Sequence, residues 1–433
     1  MSPAEVGGLV ILLLFVLFGL GVEVGFAMAI AGGTGFAIMV NTDAALNMMA
    51  KDIFSVFSSY GFTVIPLFVL MGQIGAVGGI ARSLYESAYR FLGHVPGGLA
   101  MGTVAAATAF KAICGSSPAT AATFATVAVP EMERYGYDRR LSTGTVATVG
   151  TLGVLIPPSV TLIVYGILTE TSIGKLFLAG IIPGLMIAVS FALTIYGWCR
   201  LNPALGPAGE RSGWGARLRS LPPIFWVAVL FLLVIGGLMT GFFTPTEAGS
   251  IGSFAVLMLT LARRDINARQ FAKSLLDSLR IATMVITLIA GATIMGHFFV
   301  VTQVPMRVAE WLGSLALPPL AVMLAIVVVY LIGGSFIEDL AFMILATPIF
   351  LPVVLEMGYD PVWFGVIVSV VTMIGVVLPP VAINAFVVSG VTGTPVGTIY
   401  RGIYPHLAGM ALILLVLLLF PQISLWLPAV FMP

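Results

Sequence analysis

One tripeptide occurs twice in this chain and sets the frame for everything else. Gly136-Tyr137-Asp138 returns as Gly358-Tyr359-Asp360, an offset of 360 − 138 = 222 residues. The same offset carries Pro130 to Pro352, Gly153 to Gly375, Pro157-Pro158 to Pro379-Pro380, Gly180-Ile181 to Gly402-Ile403 and Pro183 to Pro405. Chance matches between Gly- and Pro-rich helices would not keep one offset, so the chain reads as two copies of one unit. A pair of turns, Gly115-Ser116 and Gly334-Ser335, aligns at 334 − 115 = 219, which requires a small insertion or deletion.

The unit is a membrane unit. Hydrophobic residues make up 59% of the chain and charged ones 9%, with a mean hydropathy of +1.12. Soluble domains carry roughly a quarter charged residues. The expected fold class is therefore an all-α polytopic membrane protein. A net charge of +1 makes no case for nucleic acid, and Cys114 and Cys199 fit no metal or disulfide spacing. No phosphate loop ending in Lys-Ser/Thr is present, so ATP hydrolysis lacks its machinery. Met1 to Glu5 holds no Lys or Arg, which argues against a signal peptide.

Apolar runs divide the chain. Leu9–Val40 suits two short spans or one bent one, Ala44–Tyr60 an interfacial helix, and Thr63–Ile80 a span. Ala81–His94 reads as a polar connector. Gly97–Ala112 and Ala119–Met132 are short for a crossing of about 20 residues and read as arms of a re-entrant hairpin. Its tip is Cys114-Gly115-Ser116-Ser117-Pro118-Ala119-Thr120: Gly115 suits a helix end, Ser116 or Ser117 an N-cap, and Pro118 a first helical residue. Leu141–Leu168 is a span broken at Pro157-Pro158. Leu317–Gly333 and Phe342–Leu355 flank the second tip, and Val362–Val388 breaks at Pro379-Pro380. Basic loops at 134–140, 200–219 and 263–280, and Arg401, mark the cytoplasmic side, with Arg307 an exception. An odd number of crossings between the hairpins makes the repeats inverted, as in many secondary transporters. The expected division is residues 1–95 as N-terminal scaffold, 96–200 as first repeat, 201–315 as further scaffold, 316–403 as second repeat and 404–433 as C-terminal helix.

Irregular backbone at membrane depth is tolerated where it is enclosed or lines a cavity. Proline supplies no N–H to the carbonyl four residues earlier. Pro157 thus frees Gly153, and Pro379 frees Gly375. Carbonyls at Ile156, Pro158, Leu378 and Pro380 lie in the unwound turns. Such oxygens suit a hard cation. Setting Ser116 and Ser117 against Gly153, and Gly334 and Ser335 against Gly375, gives two expected sodium sites. The helix N-termini at the tips favour an anion, so a carboxylate substrate is expected there. Lys111 either adds positive charge for it, snorkels, or pairs with Glu338 or Asp339. Glu338 closes a capping box begun at Ser335, or takes part in coupling. Asn384 contacts substrate or bonds a freed carbonyl, and Ser159 and Thr161 hold similar ground after the first break. Asp138 and Asp360 read as helix caps.

These stretches resemble the large membrane subunit of tripartite ATP-independent periplasmic (TRAP) transporters, over essentially the whole chain. The resemblance rests on Gly115 to Thr120, Gly150-Thr151-Leu152-Gly153 through Ile156-Pro157-Pro158-Ser159, Thr347-Pro348-Ile349 through Pro352, and Pro379-Pro380-Val381 through Asn384. It implies an elevator-type importer in a bacterial inner membrane, driven by sodium and without a cofactor, carrying organic acids such as C4-dicarboxylates or sialic acid. Its partners would be a periplasmic binding protein and a small four-helix subunit, here expected as a separate polypeptide. By resemblance the sodium oxygens fall on Ser116, Ser117, Gly153, Ile156 and Pro158, with the mirror set Gly334, Gly375, Leu378 and Pro380. The chain departs from the family where Glu338-Asp339 stands for a usual Asp and small residues, and where Leu378-Pro379-Pro380-Val381-Ala382 replaces Thr-Pro-Pro-Val-Gly. The alternative is a stand-alone carboxylate symporter. A channel fits paired hairpins less well. An intramembrane enzyme would need a convergent nucleophile and base, whereas His94, His297 and His406 are scattered.

Overall fold

The computed structural model describes residues 2–314 and 317–432, all helix and connecting turn, with no strand among them. The expected division between residues 315 and 316 lies outside the described residues, as do Met1 and Pro433. Four helices open the chain: α1 (Pro3–Gly19), α2 (Val24–Met39), α3 (Thr42–Ser58) and α4 (Val64–Val77). The run to Val40 is thus two helices. They are followed by α5 (Ile80–Leu92), which replaces the expected polar connector. Ile80, Ala81, Leu84, Tyr85 and Ala88 fall on one helical face and are buried, while Arg82, Glu86 and Arg90 point outward.

The first repeat comprises α6 (Gly98–Lys111), α7 (Ser117–Arg134), α8 (Arg139–Val149), a 3₁₀ turn at Gly150–Val154, α9 (Val160–Leu168) and α10 (Ile173–Leu201). Then come α11 (Trp214–Arg219), α12 (Pro222–Phe231), a π turn at Leu232–Gly236, α13 (Gly237–Met239), α14 (Pro245–Ala262), α15 (Ala268–Thr302) and α16 (Val304–Ser314). The second repeat comprises α17 (Pro319–Phe336), α18 (Asp339–Glu356), α19 (Pro361–Gly375), α20 (Ile383–Thr392) and α21 (Val396–Leu419), and α22 (Gln422–Phe431) ends the chain. Seven of these segments are long and apolar enough to cross a membrane among the described residues. The architecture is that of a polytopic helical membrane protein with two inverted repeats of hairpin and broken helix.

Matching caps make the repeat visible at atomic detail. Asp138 accepts from the Arg140 N–H and Asp360 from the Val362 N–H, each at 2.7 Å, two residues on. Both carboxylates cap helices, as the sequence suggests. The two copies also cross-pack. Gly144 of α8 and Gly402 of α21 bring their backbones into contact, a position where no side chain fits. Tyr165 of α9 donates its hydroxyl to the Pro361 carbonyl at the head of α19, at 2.7 Å. Outside the repeats, α2 and α15 approach just as closely: a Cβ on Gly32 would lie 2.7 Å from Met295 Cα. Small residues at such crossings let helices pack where lipid offers no hydrophobic drive.

Candidate functional site

The first tip forms where the sequence puts it. α6 ends at Lys111, earlier than Gly115, because the chain opens over Ile113–Ser116. Ser116 caps α7, accepting from the Ala119 N–H at 3.4 Å, and the helix starts at Ser117 with Pro118 in its first turn. A Cβ on Gly115 would lie 2.6 Å from the Pro158 carbonyl oxygen, so this tip sits directly on the first break. There α8 tightens, opens and restarts at Ser159, which caps α9 and donates to the Val154 carbonyl at 2.5 Å. The Ile156 N–H reaches Leu152 at 3.0 Å, and Pro157 has no N–H. Neither residue that would ordinarily serve the Gly153 carbonyl does so. Residues 150–160 are buried throughout.

Lys111 lies in this same place. Its side chain is 0% exposed, and Nζ donates to the Ser116 carbonyl at 2.9 Å. A Cβ on Gly153 would run into its Nζ, Cδ and Cε atoms. It does not snorkel. The ion pairs within 4.0 Å among the described residues do not include it, so it pairs with neither Glu338 nor Asp339 at that range.

The second tip departs from the expectation. α17 runs through Gly334 and Ser335 to Phe336, and the turn is Ile337-Glu338. Ser335 stays helical and donates to the Ile332 carbonyl at 2.7 Å, so it forms no capping box with Glu338. Glu338 itself is the N-cap residue of α18 and makes no side-chain cap bond. The register therefore holds at 222 through the tip: 116 + 222 = 338 and 117 + 222 = 339. An acidic pair stands where the first copy has two serines. Gly334 still meets Gly375, whose Cβ would lie 2.8 Å from the Gly334 carbonyl carbon. The Gly375 carbonyl is not left open by Pro379, because the chain tightens into a turn and the Leu378 N–H takes it at 3.1 Å. The Pro380 carbonyl accepts from the Tyr400 hydroxyl at 2.9 Å. Both Pro-Pro bonds are cis.

Between the two tips is a cavity of about 230 Å³. Ser116, Ser117 and Thr161 line it from the first repeat, Glu338 and Asp339 from the second. Its far wall is Val69 of α4 with Ile281, Met284 and Val285 of α15. The structure thus joins four of the six expected substrate residues. Lys111 lies behind Ser116. Asn384 lies apart, fully buried, and donates to the Ala147 carbonyl of α8 at 3.1 Å, so it bonds a carbonyl across the repeats. The histidines remain scattered: His297 meets Asp52, His406 meets Thr145 and His94 lies beside Arg217.

Residues 11–423 match the family described as the tripartite ATP-independent periplasmic transporter, DctM component. The chain belongs to that family. Among its relatives is the C4-dicarboxylate TRAP transporter large permease DctM of Pseudomonas aeruginosa, 36% identical over 90% of this chain and 91% of that protein. The sialic acid large permease SiaM of Vibrio cholerae is 31% identical over 95% and 96%. The isethionate permease DctMQ of Oleidesulfovibrio alaskensis is 34% identical over 95% of this chain, which spans 65% of that longer protein. The YdaH transporter of Alcanivorax borkumensis shares the fold, with a TM-score of 0.64 over 89% of this chain and 90% of that one at 16% identity. This DctM-family chain is accordingly a multi-pass protein of the bacterial inner membrane.

Two features of the site escaped the sequence reading. Equating Glu338-Asp339 with Ser116-Ser117 required only holding the 222 offset through the tip; the Gly-Ser match at 219 diverted it. The contact of Lys111 with Gly153 left no local signal, since it bridges residues far apart in the chain.

Proposed function

We propose that the chain is the large permease of a sodium-coupled secondary importer of an organic acid. A periplasmic binding protein delivers the substrate, and a small four-helix membrane subunit completes the assembly. The observation that carries this reading is the cavity between the tips, where Ser116 and Ser117 at the head of α7 and Thr161 at the head of α9 converge. Helix N-termini present N–H groups and positive dipole ends, which favour an acid group. The relatives named for C4-dicarboxylate, sialic acid and isethionate are permeases for acids, which agrees with that chemistry.

The oxygens of the two breaks are the proposed cation ligands. The first set is Ser116, Ser117, Gly153, Ile156 and Pro158, and the second is Gly334, Ser335, Gly375, Leu378 and Pro380. A carbonyl carries two lone pairs, so Gly375 and Pro380 keep one for an ion besides the hydrogen bond each accepts. Glu338 and Asp339 complete the substrate wall, while Lys111 and Asn384 hold the backbone around it. Repeats 96–200 and 316–403 form the moving body of an elevator. Residues 1–95 and 201–315 form the scaffold, whose α4 and α15 supply the opposite wall. The expected separate C-terminal segment 404–433 goes with the moving body instead, because α21 runs unbroken from Val396 to Leu419.

The test is uptake into right-side-out vesicles. An inward sodium gradient raises entry of the cognate acid only when the binding protein is present. Uptake without that protein would make the chain a stand-alone symporter, and uptake indifferent to sodium would reject the coupling.

A further inference from the structure

We infer that the ammonium of Lys111 is the resident cation of the first cage, so that this cage takes no sodium and only the second draws on the sodium gradient. The inference rests on the sodium-coupled reading above and narrows it. Lys111 is fully buried at the end of α6, and its Nζ lies against Ser116 and Gly153, two of the five residues that would ligate the ion. It donates to the Ser116 carbonyl at 2.9 Å.

A buried charge must be paired or well ligated. An ammonium carries three donors and no acceptor, and it is a compact point charge. It therefore calls for what a sodium ion calls for, oxygens turned inward. One of them, the Ser116 carbonyl at the tip, accepts from it at hydrogen-bond distance, and Nζ lies beside Gly153 of the first break. The Gly153 carbonyl has no backbone donor from Ile156 or Pro157, and the break is closed to water by buried neighbours. Two unit positive charges a few ångströms apart in so dry a place repel strongly, so ammonium and sodium exclude each other.

The second repeat supplies the internal control. At the constant offset, 111 + 222 = 333, and Gly333 has no side chain to offer. The space beside Gly375 is closed by the Gly334 backbone, not by a cation. The tethered charge belongs to one copy only. It moves with the transport body in both directions and carries no net charge across the membrane per cycle.

Sodium itself is the probe, on the purified intact transporter with its small membrane subunit. Equilibrium binding of radioactive sodium should saturate at one ion per large permease in the wild type. Lys111→Ala should bind a second ion. In choline chloride that variant should melt below the wild type, and sodium chloride at equal ionic strength should restore much of the difference. Two ions on the wild type, or an unchanged number on Lys111→Ala, would overturn the inference while leaving sodium coupling intact. No sodium on either protein would overturn the coupling itself. If Lys111→Ala does not fold, Lys111→Met keeps the packing, and the wild-type stoichiometry alone still decides between one ion and two.

Discussion

The two hairpin tips occupy equivalent places in the repeat and carry opposite chemistry. The first is Ser116-Ser117 with a lysine behind it; the second is Glu338-Asp339 with a glycine at the matching position. Around them the scaffolding is the same: cis Pro-Pro breaks, aspartate caps and glycines at the contact. The Gly, Pro and Asp positions that shape the backbone are shared by the two copies, while the tip side chains that line the cavity differ in charge. The breaks differ as well. The first is buried throughout, while Pro380 at the second is exposed. A fully enclosed break suits a permanent tenant. An open one suits an ion that enters and leaves.

The sharpest way to break this comparison is to erase it. Replacing Glu338 and Asp339 together by serine gives both tips the same residues. Ionised carboxylates accept hydrogen bonds and repel an anion, so this pair would hold hydroxyl groups of the cognate acid or the coupling cation. Hydrogen bonds to charged groups are worth about 1.5–3 kcal/mol, and uptake should fall roughly tenfold to a hundredfold. Uptake at the wild-type rate would show that the acids do no more than start α18.

The glycines come next. A methyl group on Gly375 meets the Gly334 backbone, and one on Gly153 meets Nζ, Cδ and Cε of the buried Lys111. Each substitution to alanine should cost about 1–3 kcal/mol of stability as overpacking. Adding Lys111→Ala should relieve the cost at Gly153 and leave the cost at Gly375 unchanged, read from melting of the purified proteins in the absence of sodium. An unrelieved cost at Gly153 would mean that Lys111 does not fill that space.

Asn384 ties the copies together through the Ala147 carbonyl. Its Oδ1 has no hydrogen-bond partner, so removing the side chain also removes an unsatisfied atom. Asn384→Ala should therefore cost only about 1 kcal/mol, again read from melting.

The smallest effect lies at the caps. Arg140 donates to Asp138 from Nε at 3.0 Å and Nη2 at 2.8 Å and holds its carboxyl below the usual carboxylate range. The folded value lies below the unfolded one, so the contribution is present above the unfolded pKa and is lost as pH falls toward the folded value. Because the pair is partly exposed, solvent screens much of it. Asp138→Asn keeps a good cap and should lose only a few tenths of a kcal/mol near neutrality. It should also remove part of the acid-side decline in a melting profile against pH.

Much of this was legible beforehand. The offset of 222 residues locates both breaks and both caps, and the Gly-Ser-Ser-Pro run locates the first tip, because Gly, Pro, Ser and Asp act through backbone geometry. Gly334-Ser335 copies the letters of Gly115-Ser116, but register and not letters sets the second tip, which falls at Ile337-Glu338. The charges of α5 stand out among apolar neighbours and mask a helix whose buried face emerges only from the spacing of Ile80, Leu84 and Ala88. The Gly375 carbonyl was expected free because proline removes one donor, but the chain could tighten and use Leu378 instead. The seat of Lys111 depended on tertiary packing that no local pattern records.

What fills the two cages decides how this protein is coupled. A cryo-electron microscopy map of the intact transporter in sodium chloride, set beside one in choline chloride, tests it directly. The expected result is sodium-dependent density between the second tip and Gly375, with the Lys111 ammonium alone between Ser116 and Gly153 in both salts. A sodium ion in the first cage with Lys111 turned away, or no change between the two maps, would contradict it.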